Sequence, residues 1–112
     1  MSLFFINCSA QVEINSISTI ELQALLEKGN IQLMDVRTPK EIEQGFIKTA
    51  KFVNFLDANF YTNASNQLDK SKPVYLYCRS GNRSGKSAKI LQKEGYEVYN
   101  ILGGYRQWKQ EN

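Results

Sequence analysis

A chain of 112 residues can build one domain's core and is too short for two. Its 42% hydrophobic and 22% charged residues are the balance of an ordinary globular protein, and no apolar run approaches the ~18 residues that a membrane span needs. The formal charge of +3 is too small to point to nucleic acid, and the lack of histidine excludes His-containing zinc sites and imidazole catalysis together.

No internal repeat, low-complexity tract or linker divides the chain. Short apolar runs alternate with helical periodicity, which predicts βα units around a mainly parallel sheet. Residues 1–10 read as an N-terminal extension and 11–112 as the domain. "MSLFFINCSA" runs into Cys8 and resembles the end of a bacterial lipoprotein signal, but it is too short and lacks a basic n-region. Two readings stay open. One is a loosely ordered terminus on a cytoplasmic protein; the other is the remnant of a trimmed signal, with Cys8 lipidated at the cell envelope or in the periplasm.

The first strand is predicted at Gln11–Asn15. Ser18 then opens "STIE", a capping box in which the Ser18 hydroxyl and the Glu21 carboxylate each satisfy an orphan backbone N–H. Leu22, Leu25 and Leu26 follow at helical spacing as the buried face, Gly29 ends the helix, and Ile31–Met34 is the next strand. "DVRTPKE" repeats the device: Asp35 to Arg37 leave the strand, Thr38 caps, Pro39 takes the first helical position and Glu41 the third. That second helix should stop near Gly45. "AKFVNF" reads as a strand, and the polar stretch 57–72 carries little pattern beyond one short helix around Ala58–Tyr61.

After Pro73, "VYLYC" is apolar without alternation, as in a strand buried on both faces of a parallel sheet. Ser84–Glu94 is helical, with Ala88, Ile90 and Leu91 apolar and Gly95 as its cap. "YEVYNI" is the last strand, and "LGGYRQWK" turns through Gly103 and Gly104 into a final helix. There Tyr105 and Trp108 close the core, and core packing rather than ligand stacking is the expectation for the aromatics generally.

Cys78 therefore ends a central strand and Ser84 opens the next helix. In open parallel sheets ligands bind at that edge, where a helix N-terminus presents N–H groups and partial positive charge. Gly81 permits tight geometry in the short loop, so that successive N–H groups can converge on an anion, and Arg79 and Arg83 add full charges. The wider charge agrees: residues 1–56 carry five Lys/Arg against six Asp/Glu, and 57–112 carry nine against five, so the halves hold −1 and +4. A thiol in such a field should have a lowered pKa and act as a thiolate nucleophile, whereas a lone cysteine without that setting is simply a small hydrophobe. Attack on sulfur with a stable anionic leaving group such as sulfite needs no proton donor, so the missing histidine is no obstacle.

From Ile17 to Lys109 the chain resembles a single-domain rhodanese, a sulfurtransferase, in three ordered segments: "DVRTPKEIEQGFI", "YLYCRSGNRS" and "GYEVYNILGGYRQW". The resemblance implies a three-layer α/β/α domain with a central, mainly parallel sheet. It implies that Cys78 takes up the transferable sulfur as a persulfide, with the backbone of Arg79, Ser80, Gly81, Asn82 and Arg83 and the start of the helix at Ser84 forming the binding loop. Arg79 and Arg83 would help to position an anionic donor such as thiosulfate, with cyanide, a thiol or a protein as acceptor. Asp35 and Arg37 match positions that brace the surroundings of the loop. No metal, other cofactor, nucleic acid or transmembrane segment is implied. One departure is Phe46, where the family usually has a histidine at a structural position.

Two other readings compete. Cysteine phosphatases also place a thiolate in an amide-lined loop ending in arginine, but with five residues between Cys and Arg. Here four intervene, Arg79 to Asn82, which makes a cradle suited to one sulfur atom. A persulfide carrier or non-catalytic binding module on the same fold, acting on one protein partner, is the second. Lys86 and Lys89, on the helix after the loop, either widen an anionic entrance or form a solvated face.

Overall fold

The computed structural model describes residues 13–112. The expected N-terminal extension, Cys8 and the start of the first expected strand lie outside the described residues. The elements are β1 (Asn15–Ile17), α1 (Thr19–Lys28), β2 (Gln32–Asp35), α2 (Pro39–Glu43), β3 (Lys51–Phe52), α3 (Phe60–Ser65), β4 (Val74–Tyr77), α4 (Asn82–Lys93), β5 (Val98–Ile101) and α5 (Gly104–Glu111). All strand pairs are parallel, in the order β1-β5-β4-β2-β3. The parallel sheet is the one that the alternating pattern predicted, within the three-layer α/β/α domain that the resemblance implied.

Side-chain alternation along the strands divides the core in two. On one face Met34, Val74, Leu76, Cys78 and Val98 pack with Phe60 and Ala64 of α3 and Ala88 and Leu91 of α4. On the other, Leu33, Tyr77 and Ile101 pack with Leu22 and Leu26 of α1 and Tyr105 and Trp108 of α5. The absence of alternation in "VYLY" follows: both faces of β4 are covered, and Val74, Leu76 and Tyr77 are fully buried.

Both expected capping boxes form. The Glu21 N–H donates to Ser18 Oγ at 3.0 Å and the Ser18 N–H to Glu21 Oε1 at 2.9 Å; in α2 the corresponding Thr38–Glu41 bonds are 3.3 and 3.1 Å. Several bounds differ from expectation. The "AKFVNF" strand shortens to Lys51–Phe52, although the Val53 and Phe55 N–H groups still reach Asp35 O and Val36 O, both at 3.0 Å. The short helix in 57–72 starts at Phe60 rather than Ala58. In α4 the buried face is Ser84, Ser87, Ala88 and Leu91, while Ile90 is exposed, because two serines occupy core-facing positions that an apolar pattern misses.

What matters for the site is the divergence at the sheet's centre. β2 and β4 are neighbours, but the chain leaves β2 toward the α1/α5 face, where Ile47 is buried, and leaves β4 toward the α3/α4 face. Between two such strands the C-terminal edge opens into a crevice, the place where this architecture leaves room for a ligand.

Candidate active site

Cys78 lies at that edge, 1% exposed. Gly81, at φ +114°, is the N-cap of α4, so the helix begins at Asn82, two residues before the expected start at Ser84. The turn aims the Gly81 N–H at Cys78 Sγ, 3.1 Å away, and brings Ser84 Oγ within 3.4 Å of the same sulfur. Burial pushes the thiol's pKa up. The Ser84 hydroxyl and the N–H groups of Ser84, Gly81 and Ser80 favour the thiolate and together hold it below the ordinary value.

The loop's carbonyls are held facing away from the sulfur. Cys78 O accepts from the Tyr105 N–H at 2.8 Å and Arg79 O from the Arg106 N–H at 3.0 Å, so the first turn of α5 spends its orphan donors on the loop. That approach needs glycine at 104, where φ is +57° and a Cβ would sit 2.6 Å from Cys78 O and 2.7 Å from the Arg79 carbonyl. Asn100 completes the frame: its Nδ2 donates to Gly81 O at 3.2 Å and its Oδ1 accepts from Ser84 Oγ at 2.6 Å. Ser84 has a single hydroxyl proton, so Asn100 and the sulfur compete for it.

Two arginine–carboxylate pairs flank the loop. Arg37 and Asp35 are buried, with Arg37 Nη2 2.6 Å from Asp35 Oδ2 and 2.8 Å from Gly45 O, and the guanidinium lies 4.3 Å from the centre of the Tyr105 ring. Burial works against its charge, but Asp35 outweighs this and leaves the Arg37 pKa raised. Arg83, by contrast, does not point a free charge into the loop. Its Nη1 and Nη2 bind the two oxygens of Glu41, each at 2.8 Å. This bidentate bond, more than the opposing effect of burial, lowers the Glu41 pKa to about 2. Arg79 and Ser80 are exposed beside the loop, and Asn82 is exposed at the start of α4.

A family model described as "Rhodanese-like domain" matches residues 18–111. The chain belongs to this rhodanese-like family. It is 35% identical over 94 residues to a Coxiella burnetii protein named thiosulfate sulfurtransferase GlpE, covering 83% of this chain and 85% of that one. It is 41% identical over 78 residues to YqhL of Bacillus subtilis, named as uncharacterized; the match covers 69% of this chain but 60% of YqhL. Among solved structures it resembles a rhodanese-like domain protein from Staphylococcus aureus, with TM-score 0.76 and 33% identity over 85% of this chain and 91% of that one.

Within this rhodanese-like domain the structure brings Cys78, Gly81, Ser84 and the Asp35–Arg37 pair to one edge of the sheet. Arg83, expected to add a full charge at the loop, has its guanidinium bound to Glu41. Lys86 and Lys89 are exposed on α4. Phe46 is half-exposed and packs edge-on against Phe52, with ring centroids 4.9 Å apart. Two contributors escaped the sequence reading. Glu41 was identified only as a helix cap, although a carboxylate within "DVRTPKE" was a signal. Asn100 was visible as the one polar residue inside "VYNI".

Proposed function

We propose that the chain is a sulfurtransferase that carries a sulfane sulfur on Cys78, from an anionic donor such as thiosulfate to a nucleophilic acceptor, cyanide or a thiol. The observation that carries this reading is the environment of Cys78 Sγ: a sulfur at the N-terminus of α4, met by the Gly81 N–H at 3.1 Å, with its thiolate favoured. In the first step the Cys78 thiolate bonds to the outer sulfur of thiosulfate, the S–S bond breaks, and its electron pair leaves on sulfite. Cys78 is left as a persulfide whose outer sulfur carries negative charge, the charge that the loop's N–H groups are suited to stabilise. Sulfite is a stable anion, so no residue has to supply a proton, consistent with a chain lacking histidine. In the second step the acceptor takes the outer sulfur and Cys78 returns to the thiolate.

A phosphatase reading fits less well. Four residues separate Cys78 from Arg83, and the Arg83 guanidinium is bound to Glu41 rather than free to clamp a phosphate. The test is the intact mass after incubation with thiosulfate. A gain of about 32 Da, lost on treatment with cyanide and absent in Cys78→Ser, is expected. An unmodified thiol would overturn the reading.

A further inference from the structure

Next to the loop, between α2 and α5, lies a cleft of about 500 Å³. That is a volume typical of sites for small organic molecules, and thiosulfate, a dianion of a handful of atoms, would fill only a small part of it. Its wall includes Arg79, Arg106 and Lys109, together with Gln44 and Gln110. The carboxylate in the wall, Glu41, is already bound to Arg83. Among the described residues Arg79, Arg106 and Lys109 form no ion pair and no side-chain hydrogen bond, so the cleft presents three uncompensated cations. It shares backbone with the site, because the Tyr105 and Arg106 N–H groups bind Cys78 O and Arg79 O. Arg79, the residue after Cys78, is part of the wall, so a molecule lying in the cleft would touch the loop beside the cysteine.

We infer that this cleft binds the sulfur acceptor, and that the acceptor is a low-molecular-mass thiol carrying two or more anionic groups. The inference rests on the sulfurtransferase reading and specifies its second substrate. The acceptor's thiolate bonds to the outer sulfur of the Cys78 persulfide, and the Sγ–S bond breaks with its electron pair remaining on Sγ. The outer sulfur departs as the acceptor's persulfide anion, and no outside oxidant or reductant enters. The guanidinium forks of Arg79 and Arg106 suit carboxylate or phosphate groups, and Lys109, one turn beyond Arg106, adds a point charge. Exposed charges of this kind act over a Debye length of roughly 8 Å at physiological ionic strength, so the preference should fade with salt.

The test loads Cys78 with thiosulfate, removes excess donor, and follows loss of the added sulfur in a single turnover with mercaptosuccinate, a dicarboxylate thiol, or with monothioglycerol, which is uncharged. In Arg106→Gln/Lys109→Gln, discharge by mercaptosuccinate is expected to fall at least fivefold, with discharge by monothioglycerol within twofold of wild type, and high salt should reproduce the effect. An unchanged ratio of the two rates would overturn the inference, as would unsaturable discharge by both thiols in wild type, which would leave a protein acceptor as the occupant. Calorimetry with (methylthio)succinate, which cannot accept sulfur, separates the two claims. If Cys78 fails to load but this thioether binds wild type and not the double variant, the sulfurtransferase reading falls and the anion-binding cleft stands. If it binds neither protein, the cleft assignment falls even when loading succeeds.

Discussion

The Asp35–Arg37 and Glu41–Arg83 pairs are alike in chemistry and opposite in setting. Asp35 and Arg37 have side chains 0% and 4% exposed, and Asp35 Oδ1 also accepts the Arg37 backbone N–H at 3.0 Å. Glu41 and Arg83 have side chains 27% and 23% exposed. Water competes for the second pair and is excluded from the first. A buried pair is tolerated only while every charge is matched, so it is rigid and costly to break; a half-exposed pair costs little to separate and can adjust the field around a nearby group. The first pair ties the end of β2 to the turn at Gly45, and the second ties α4 to α2.

Arg37→Ala strands the Asp35 carboxylate in the interior and should have the largest effect. A loss of about 3–5 kcal/mol is expected from denaturant midpoints. A loss below about 1 kcal/mol, the range of exposed pairs, would erase the distinction. The backbone anchor comes next in size. Gly104→Ala would drive a Cβ into the Cys78 and Arg79 carbonyls, with an expected cost of about 2–3 kcal/mol and a slower reaction of Cys78 with iodoacetamide. Wild-type stability would show that the α5 anchor yields easily.

Glu41→Gln should cost about 1 kcal/mol or less. It frees the Arg83 charge beside the loop, which favours the thiolate, so the pH midpoint of Cys78 alkylation should move down. An unmoved midpoint would show that Arg83 does not tune the cysteine even when released. The smallest effect is the pH dependence of the same pair. Glu41 has its folded pKa lowered from 4.5 to about 2, so its contribution is present above 4.5 and lost as the pH falls through about 2. The stability difference between wild type and Glu41→Gln should be constant near neutrality and close across that acidic window. A difference that persists at about pH 2 would mean that the Glu41 charge is not what binds Arg83.

What was legible in the sequence was local. Ser18 and Glu21, or Thr38 and Glu41, lie three residues apart, within the reach of a single helical turn, so their bonds follow from the residue types alone. The apolar run of β4 implied burial on both faces, and strand, cysteine, glycine and helix in that order placed a thiol near a helix N-terminus. The two-residue shift in the start of α4 reflects Gly81, which serves as the cap without a side-chain bond.

The rest depended on distances in space that chain spacing does not encode. Arg83 and Glu41 are 42 residues apart, and whether Arg83 faces the loop or a carboxylate depends on where α2 leaves β2. Asn100 reaches Ser84 because β5 pairs with β4, and α5 reaches the loop's carbonyls because Gly104 has no Cβ. By itself the sequence determined the α/β class, the parallel sheet and the position of a cysteine at a strand end, since burial pattern and turn chemistry act over a few residues. Only the tertiary structure decided which cations are free and which are spent, because ion pairing depends on which side chains the packed sheet and helices bring within bonding distance.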